Sequence, residues 1–576
     1  MRRVKCSGNW LAKPKPLDFS LPLSAKSRPN LSVFRVSHLL AVAMVFTATL
    51  RAQSPSLTHT VPGALAPGRT GEITLLGANL VGVTNLWTSL GANVISAHAS
   101  NAGAAQFRIT IPADAPVGIH AARVASVNGV SSPVLFMVDD LPGLADVGTN
   151  TSAASAQPLA GPVAVDGAAV ALGRKYFRVS AKAGERLAIE VVAQRLGSKL
   201  DPVLRLLDLR GRELAFCDDE SGLGGDCRLA HVFAASGDFL IELRDINFGG
   251  GSDYRFRLRV GDFPLASLAF PAAVKAGTTA TFAFVGPQVD RLQPVTATAP
   301  TNATRLALSA KFPGSKSSAF VSALVTDTAE FTEAEPNDSA DNATPFTLPA
   351  GLNGRFHRPK DRDFWKFDAK QGQRVLFNAQ TRSIASASEV MLQLRDTKGT
   401  AIASSSPNDA GEGSVTNTIP ADGTYFLVVD ELIRRGGSQH AYRIEATLLG
   451  PGFTLDTEVE KVEATPGGSF NVKVSVTRND FTGLIALTVP GLSDVQLTDA
   501  VIKEKATNAT LKVTLPTSAV PGSLTQFRIV GKAVLGEREV QSVVRTTPAL
   551  RKLFPSLTTP PRELDGFITL GVKVQK

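Results

Sequence analysis

The chain's 576 residues, 43% of them hydrophobic, allow about three to five domains at a usual 100–200 residues each, with a core for every one, which excludes a single compact domain and a disordered chain alike. The net charge of +9 sits at the start: residues 1–52 hold nine Lys/Arg and one Asp, and the remainder carries 51 basic residues against 50 acidic ones. That balance leaves no electrostatic case for nucleic acid or acidic lipid as a partner.

Residues 1–38 are basic and rich in Pro and Ser, and Leu39 to Leu50 (LLAVAMVFTATL) form an uninterrupted weakly polar to apolar run closed by Arg51-Ala52-Gln53. This spacing predicts a secretory signal over 1–52, cut after Ala52 or Ala48. The run falls short of the about 20 residues that cross a bilayer as a helix, so no membrane span is expected in the mature chain. A secreted, extracellular or cell-envelope location follows. Cys6 leaves with the leader, and Cys217 and Cys227 remain as an even pair inside FCDDESGLGGDCRL. In an exported chain that suggests a disulfide, with two free or metal-bound thiols as the alternative.

Beyond the leader the recurring pattern has period two. YRFRLRV at 254–260 sets Tyr254, Phe256, Leu258 and Val260 on one face and Arg255, Arg257 and Arg259 on the other, and FNVKVSVTR at 470–478 alternates in the same way. No capped stretch of helical periodicity stands out, and Gly, Pro, Asn and Asp punctuate the chain at short intervals. The expected class is all-β, with tandem β-sandwich domains. FRITIPADAPVG (107–118) and LKVTLPTSAVPG (511–522) share a strand, a Pro stop and a Pro-Gly turn, which suits immunoglobulin-like sandwiches. GERLAIEVVAQRLGSKLDPVLRLLDLRGRELA (184–215) aligns without gaps on GQRVLFNAQTRSIASASEVMLQLRDTKGTAIA (372–403). At that offset Phe177 falls on Trp365 and Tyr254-Arg255 on Tyr442-Arg443, while Gly237 meets Gly423 after a small indel. The expected domains are thus Ig-like at 55–138, a first repeat at 139–261, Ig-like at 262–330, a second repeat at 331–450 and Ig-like at 451–549. A tail at 550–576 ends in the strand-like FITLGVKV.

The run EAEPNDSADNATPF (333–346), then DRDFWKF (361–367), GQRVLF, LQLRDTKGT and DGTYFLVV, resembles the bacterial pre-peptidase C-terminal domain, a jelly-roll-like sandwich of exported proteins. The first repeat resembles it through LDPVLRLLDLRGRELA, ASGDFLIELRD and GGGSDYRFRL, and 55–138 is similar to an IPT/TIG-type immunoglobulin-like domain. The resemblance implies a non-catalytic module that helps exported proteins fold, adhere or stay at the surface; those of bacterial collagenases bind calcium and collagen. It also carries calcium ligation onto this sequence. Glu333, Glu335 and Asn337 alternate in the acidic run, where Pro336 biases Glu335 toward an extended conformation; Asp338 adds an oxygen, and Asp361 and Asp363 supply the rest. A solvated acidic linker is the plainer reading of the same residues. In the first repeat Lys175 stands in the place of Asp363, so an equivalent site is expected to be lost. The acidic cluster of Asp218, Asp219, Glu220 and Asp226 reads as a solvated turn, with a cystine-pinned loop that holds a cation as the alternative.

The six His of the mature chain (59, 98, 120, 231, 357 and 440) show no ligand spacing, and no HExxH, GxSxG or P-loop occurs. His231 and His357 read as surface or packing residues, and two Trp beyond the leader are little material for a binding platform. No catalytic residues are expected. The function expected is an exported, non-catalytic, calcium-stabilised multidomain protein for adhesion, assembly or surface presentation, with an unidentified extracellular protein or polysaccharide as partner. The alternative is an accessory or targeting subunit of a secreted hydrolase such as a peptidase.

Overall fold

The structure, a computed structural model, describes residues 53–575 apart from 92, 221, 316–317, 409–410 and 558. The expected leader and Cys6 lie outside the described residues. The fold is all-β, a series of two-sheet sandwiches; among the described residues the one α-helix is the short Thr547–Leu553. No helix there is long and apolar enough to cross a membrane. The strand Ser469–Asn479 shows how sequence makes these sheets. Phe470, Val472, Val474 and Val476 are buried while the residues between them face water, as period two requires.

The two repeats share one topology. In the first, one sheet runs Gly143–Ala145, Val163–Ala168, Arg255–Gly261, Arg186–Val192, Arg228–Val232, and the facing sheet Gln157–Pro158, Lys175–Ala181, Gly237–Asp245, Pro202–Asp208, Glu213–Cys217. In the second, the strands from Ala329–Thr332 to Ala441–Leu449 take the same order. The register corrects one alignment. Gly167 pairs with Phe256 and Gly354 with Tyr442, so Phe256-Arg257, rather than Tyr254-Arg255, is the counterpart of Tyr442-Arg443. The indel that separates Gly237 from Gly423 persists to the last strand, and the shared Tyr-Arg dipeptide masks it. A Cβ on Gly354 would lie 2.2 Å from the Tyr442 ring, and one on Gly167 2.6 Å from Phe256 Cζ, so each repeat keeps glycine where an aromatic ring crosses the strand.

Arg255–Gly261 departs from its expected half-exposure. Arg257 and Arg259 are 2% and 0% exposed, because the outer face of this sheet is covered by neighbouring domains. Arg257 donates to Asp139 at 2.7 Å and to both Asp166 oxygens; Arg259 donates to Asp139, to Glu190 at 2.7 Å and to the Ser318 carbonyl at 2.7 Å. Asp139 continues the strand Val134–Val138 of the first sandwich, its N–H donating to the Leu65 carbonyl, so three successive sandwiches meet on two buried guanidinium groups.

The first sandwich also packs on the last. Arg123 and Ser132 donate to Glu460, the Val130 N–H and Ser54 donate to Glu463, and Asn85 donates to the Gly522 carbonyl at 2.7 Å. The final strand Ile568–Val572 docks in the last sandwich, parallel to Lys461–Ala464 and antiparallel to Leu524–Phe527. Leu550 of the helix before it and Phe554, just past the helix end, are buried against Ala121 and Leu135 of the first sandwich, at about 1.5–3 kcal/mol for each large side chain fully removed from water.

Two histidines give the fold a pH dependence. Burial lowers the pKa of His120 to about 4, against the hydrogen bond from its ring to the Pro116 carbonyl, and burial with the Arg255 charge lowers that of His59 to about 4. Both stay neutral in the folded chain, whereas unfolded imidazole charges below about pH 6.5. Their contribution is therefore complete above about pH 6.5 and is lost as pH falls toward 4. His120→Gln is expected to flatten the fall of the thermal midpoint across that window, and an unchanged slope would contradict it.

Candidate metal centre

In the second repeat the strand Arg362–Ala369 places Asp363, Trp365 and Phe367 on one face, so a carboxylate stands in line with two core aromatics. Asp363 is 0% exposed and accepts the Tyr442 O–H at 2.6 Å, and Tyr442 in turn accepts the Trp365 indole N–H at 3.0 Å. Glu333 follows the strand Ala329–Thr332 and is anchored by its N–H to the Asn353 carbonyl; its Oε1 accepts the Arg355 N–H at 2.7 Å. Glu335 accepts the Asn337 N–H and lies 2.8 Å from His357 Nδ1. Asp361 accepts the His357 N–H at 2.6 Å, which turns the loop back over the site.

These bonds leave a convergent set of oxygens. Ligand atoms of Glu335, Asp361 and Asp363 lie within 4.8 Å of one another, as do those of Glu333, Glu335 and His357. Glu333 Oε2, Asp361 Oδ1, Asp363 Oδ1 and both polar atoms of the Asn337 amide are buried without a hydrogen-bond partner. A buried polar atom left unpaired costs about 1–3 kcal/mol, and more when it is charged. Electrostatics point the same way. Burial first, and then the Asp363 and Glu335 charges, push the Glu333 pKa up to about 10. Burial pushes Asp363 well above the usual carboxylate range, with Asp361 and Glu335 adding to it and the Tyr442 hydrogen bond opposing it. Arg358 reaches Asp361 Oδ1 only at 3.8 Å, beyond hydrogen-bond distance, and Arg355 lies over the Phe270 ring. Buried carboxylate and amide oxygens without partners are the donor set of a hard divalent cation such as calcium.

Of the residues expected from sequence, Glu333, Glu335, Asp361 and Asp363 come together, and Asn337 is buried beside them with its main-chain carbonyl accepting the Phe364 N–H. Asp338 instead pairs with Arg358 at 2.8 Å on the exposed rim. His357, read as a surface or packing residue, joins the cluster. Tyr442 was not anticipated, since 79 positions separate it from Asp363 and only the sheet unites them. The cluster at 218–226 is less of a solvated turn than its sequence suggests. Asp226 is 0% exposed and accepts the N–H groups of Ala193 and Gln194 and the Arg195 guanidinium, while Glu220 holds Arg228. Cys217 and Cys227 are free thiols, and burial pushes the Cys227 thiol well up; the expected cystine is not formed here.

A stretch of 98 residues is 34% identical to a probable subtilase-type serine protease of Deinococcus radiodurans, covering 16% of this chain and 14% of that protein. Among solved structures the chain is similar to a DUF4785 family protein of Legionella pneumophila, at 13% identity over 33% of this chain and 59% of that one, with a TM-score of 0.13. It is also similar to the Bacteroides ovatus mixed-linkage glucan utilization locus SGBP-B, at 10% identity over 69% and 75% of the two chains, with a TM-score of 0.14. Likenesses this distant carry no argument about what the chain binds. Residues 361–431, which hold Asp361, Asp363 and Trp365, match the bacterial pre-peptidase C-terminal domain.

Proposed function

We propose that the chain is an exported, non-catalytic scaffold of β-sandwiches for adhesion, assembly or surface presentation, whose second repeat is set by calcium. Glu333, Glu335, Asn337, Asp361 and Asp363 hold the ion. The observation that carries this reading is the group of buried oxygens without partners where Glu335, Asp361 and Asp363 converge. We further propose a pre-peptidase-type first repeat, an IPT/TIG-like first sandwich, and a Cys217–Cys227 disulfide formed on export, worth about 2–3 kcal/mol. A second reading, an accessory or targeting subunit of a secreted peptidase, is favoured by the identity shared with the subtilase-type protease. Copurification with a peptidase from culture medium would support it.

The test is thermal unfolding of the full chain in calcium and in chelator. A cation that binds only the folded state adds RT ln(1 + [L]/Kd), about 2.7 kcal/mol at a hundredfold excess over Kd. Calcium is expected to raise the midpoint of the wild type and to change the emission of Trp365, which reaches Asp363 through Tyr442. Glu335→Ala should lose both responses. A wild type indifferent to calcium would overturn the reading.

A further inference from the structure

The first repeat reproduces the framework of the metal centre with other residues in it. Asp146 stands where Glu333 stands: their N–H groups donate to Asp166 and Asn353, which pair with Arg257 and Arg443 respectively. Asn150 stands where Asn337 stands, each fully buried and each accepting through its main-chain carbonyl the N–H of Tyr176 or Phe364. Leu172 and Lys360 share a positive φ, of 56° and 68°, and donate to Phe248 and Arg434, so the next residues, Gly173 and Asp361, coincide. Gly148 thus replaces Glu335, Gly173 replaces Asp361, and Lys175 replaces Asp363.

The replacements act together. Lys175 is 2% exposed, and its ammonium donates to Asp146 Oδ2, to Asn150 Oδ1 at 3.1 Å and to the Gly148 carbonyl at 3.3 Å. Asn150 is satisfied where Asn337 is not, its Nδ2 donating to the Tyr176 carbonyl at 3.2 Å. The Tyr442 phenol that serves Asp363 has Phe256 as its counterpart, so the hydroxyl has gone along with the carboxylate it served. One carboxylate faces one ammonium in the first repeat, whereas four carboxylates share the second. An ammonium has three donors and one charge, which matches three oxygens of which one is anionic. A lone carboxylate with two neutral oxygens is in turn a poor cage for a divalent ion that takes six to eight oxygens.

We infer that Lys175 is the first repeat's own cation, occupying in that cradle the place that calcium takes in the second, so that only one of the two repeats responds to calcium. This rests on the reading of the second repeat as a calcium site, and hydrogen exchange on the full chain followed by mass spectrometry separates the two claims. In the wild type, calcium is expected to slow exchange over 333–338 and 357–364 and to leave 146–150 and 173–176 unchanged. Equal protection of both repeats would overturn the inference. Lys175→Met, which keeps the volume and removes the charge, is expected to speed exchange over 146–150 by about tenfold or more, with no recovery on adding calcium. Unchanged exchange there would overturn the inference as well. Asp146→Asn gives the same readout if Lys175→Met does not fold. If calcium protects neither repeat in the wild type, the calcium reading of the second fails, and Lys175→Met still decides the role of the ammonium in the first.

Discussion

Asp139→Ala is expected to destabilise the folded chain by about 3–5 kcal/mol, the usual cost of removing one partner from a buried ion pair. Asp139 is 0% exposed on its side chain and accepts from Arg257 at 2.7 Å, from Arg259 at 3.2 Å and from the Leu141 N–H at 3.2 Å. Burial alone would raise its pKa, but Arg259 and Arg257 outweigh that and hold it below the usual carboxylate value. Its contribution is therefore present above the unfolded carboxylate pKa and is lost as pH falls through the folded one. Without Asp139, Arg257 keeps Asp166 and Arg259 keeps Glu190, yet both guanidinium groups stay buried with unanswered N–H donors. Because the network joins neighbouring sandwiches, limited proteolysis between them should speed up together with the fall in the thermal midpoint. The exposed pair Arg186–Asp290 is the control, and Asp290→Ala should change stability by no more than about 1 kcal/mol. Comparable effects of the two variants would refute the assignment of Asp139 as an interdomain anchor.

Asp363→Asn is expected to act with opposite signs in chelator and in calcium. In chelator, removing one of four clustered carboxylates relieves repulsion, and Asn keeps an oxygen for the Tyr442 hydroxyl, so the midpoint should rise by the equivalent of about 1–3 kcal/mol. In calcium the variant lacks an anionic ligand, and the stabilisation of about 2.7 kcal/mol at a hundredfold excess over Kd should vanish. The two midpoint curves therefore cross as calcium is added. Parallel curves would mean that Asp363 serves the fold and not the ion.

The acidic centre was legible because its parts come from two short segments, 333–338 and 361–363, each with a pattern of its own. Asp338 misled because proximity in sequence says nothing of a competing partner; Arg358 takes it on the rim. His357 and Tyr442 were not legible, since one belongs to a returning loop and the other to a strand whose register an indel shifts. Arg257 and Arg259 misled for a related reason. Alternation shows which side chains point away from a sandwich's own core, but whether that outer face meets water depends on the domain laid against it.

The sequence by itself determined the all-β class, the internal repeat and most of the acidic set, because period-two alternation, turn residues and carboxylate spacing are local properties of a chain. Tertiary structure alone decided that the first sandwich packs on the last, that the final strand docks between Lys461–Ala464 and Leu524–Phe527, and that Lys175 faces the oxygens of Asp146, Gly148 and Asn150. Those contacts join residues far apart in the chain, and what fixes them is the burial of charge and apolar surface between sheets, for which no short run of sequence carries a signal.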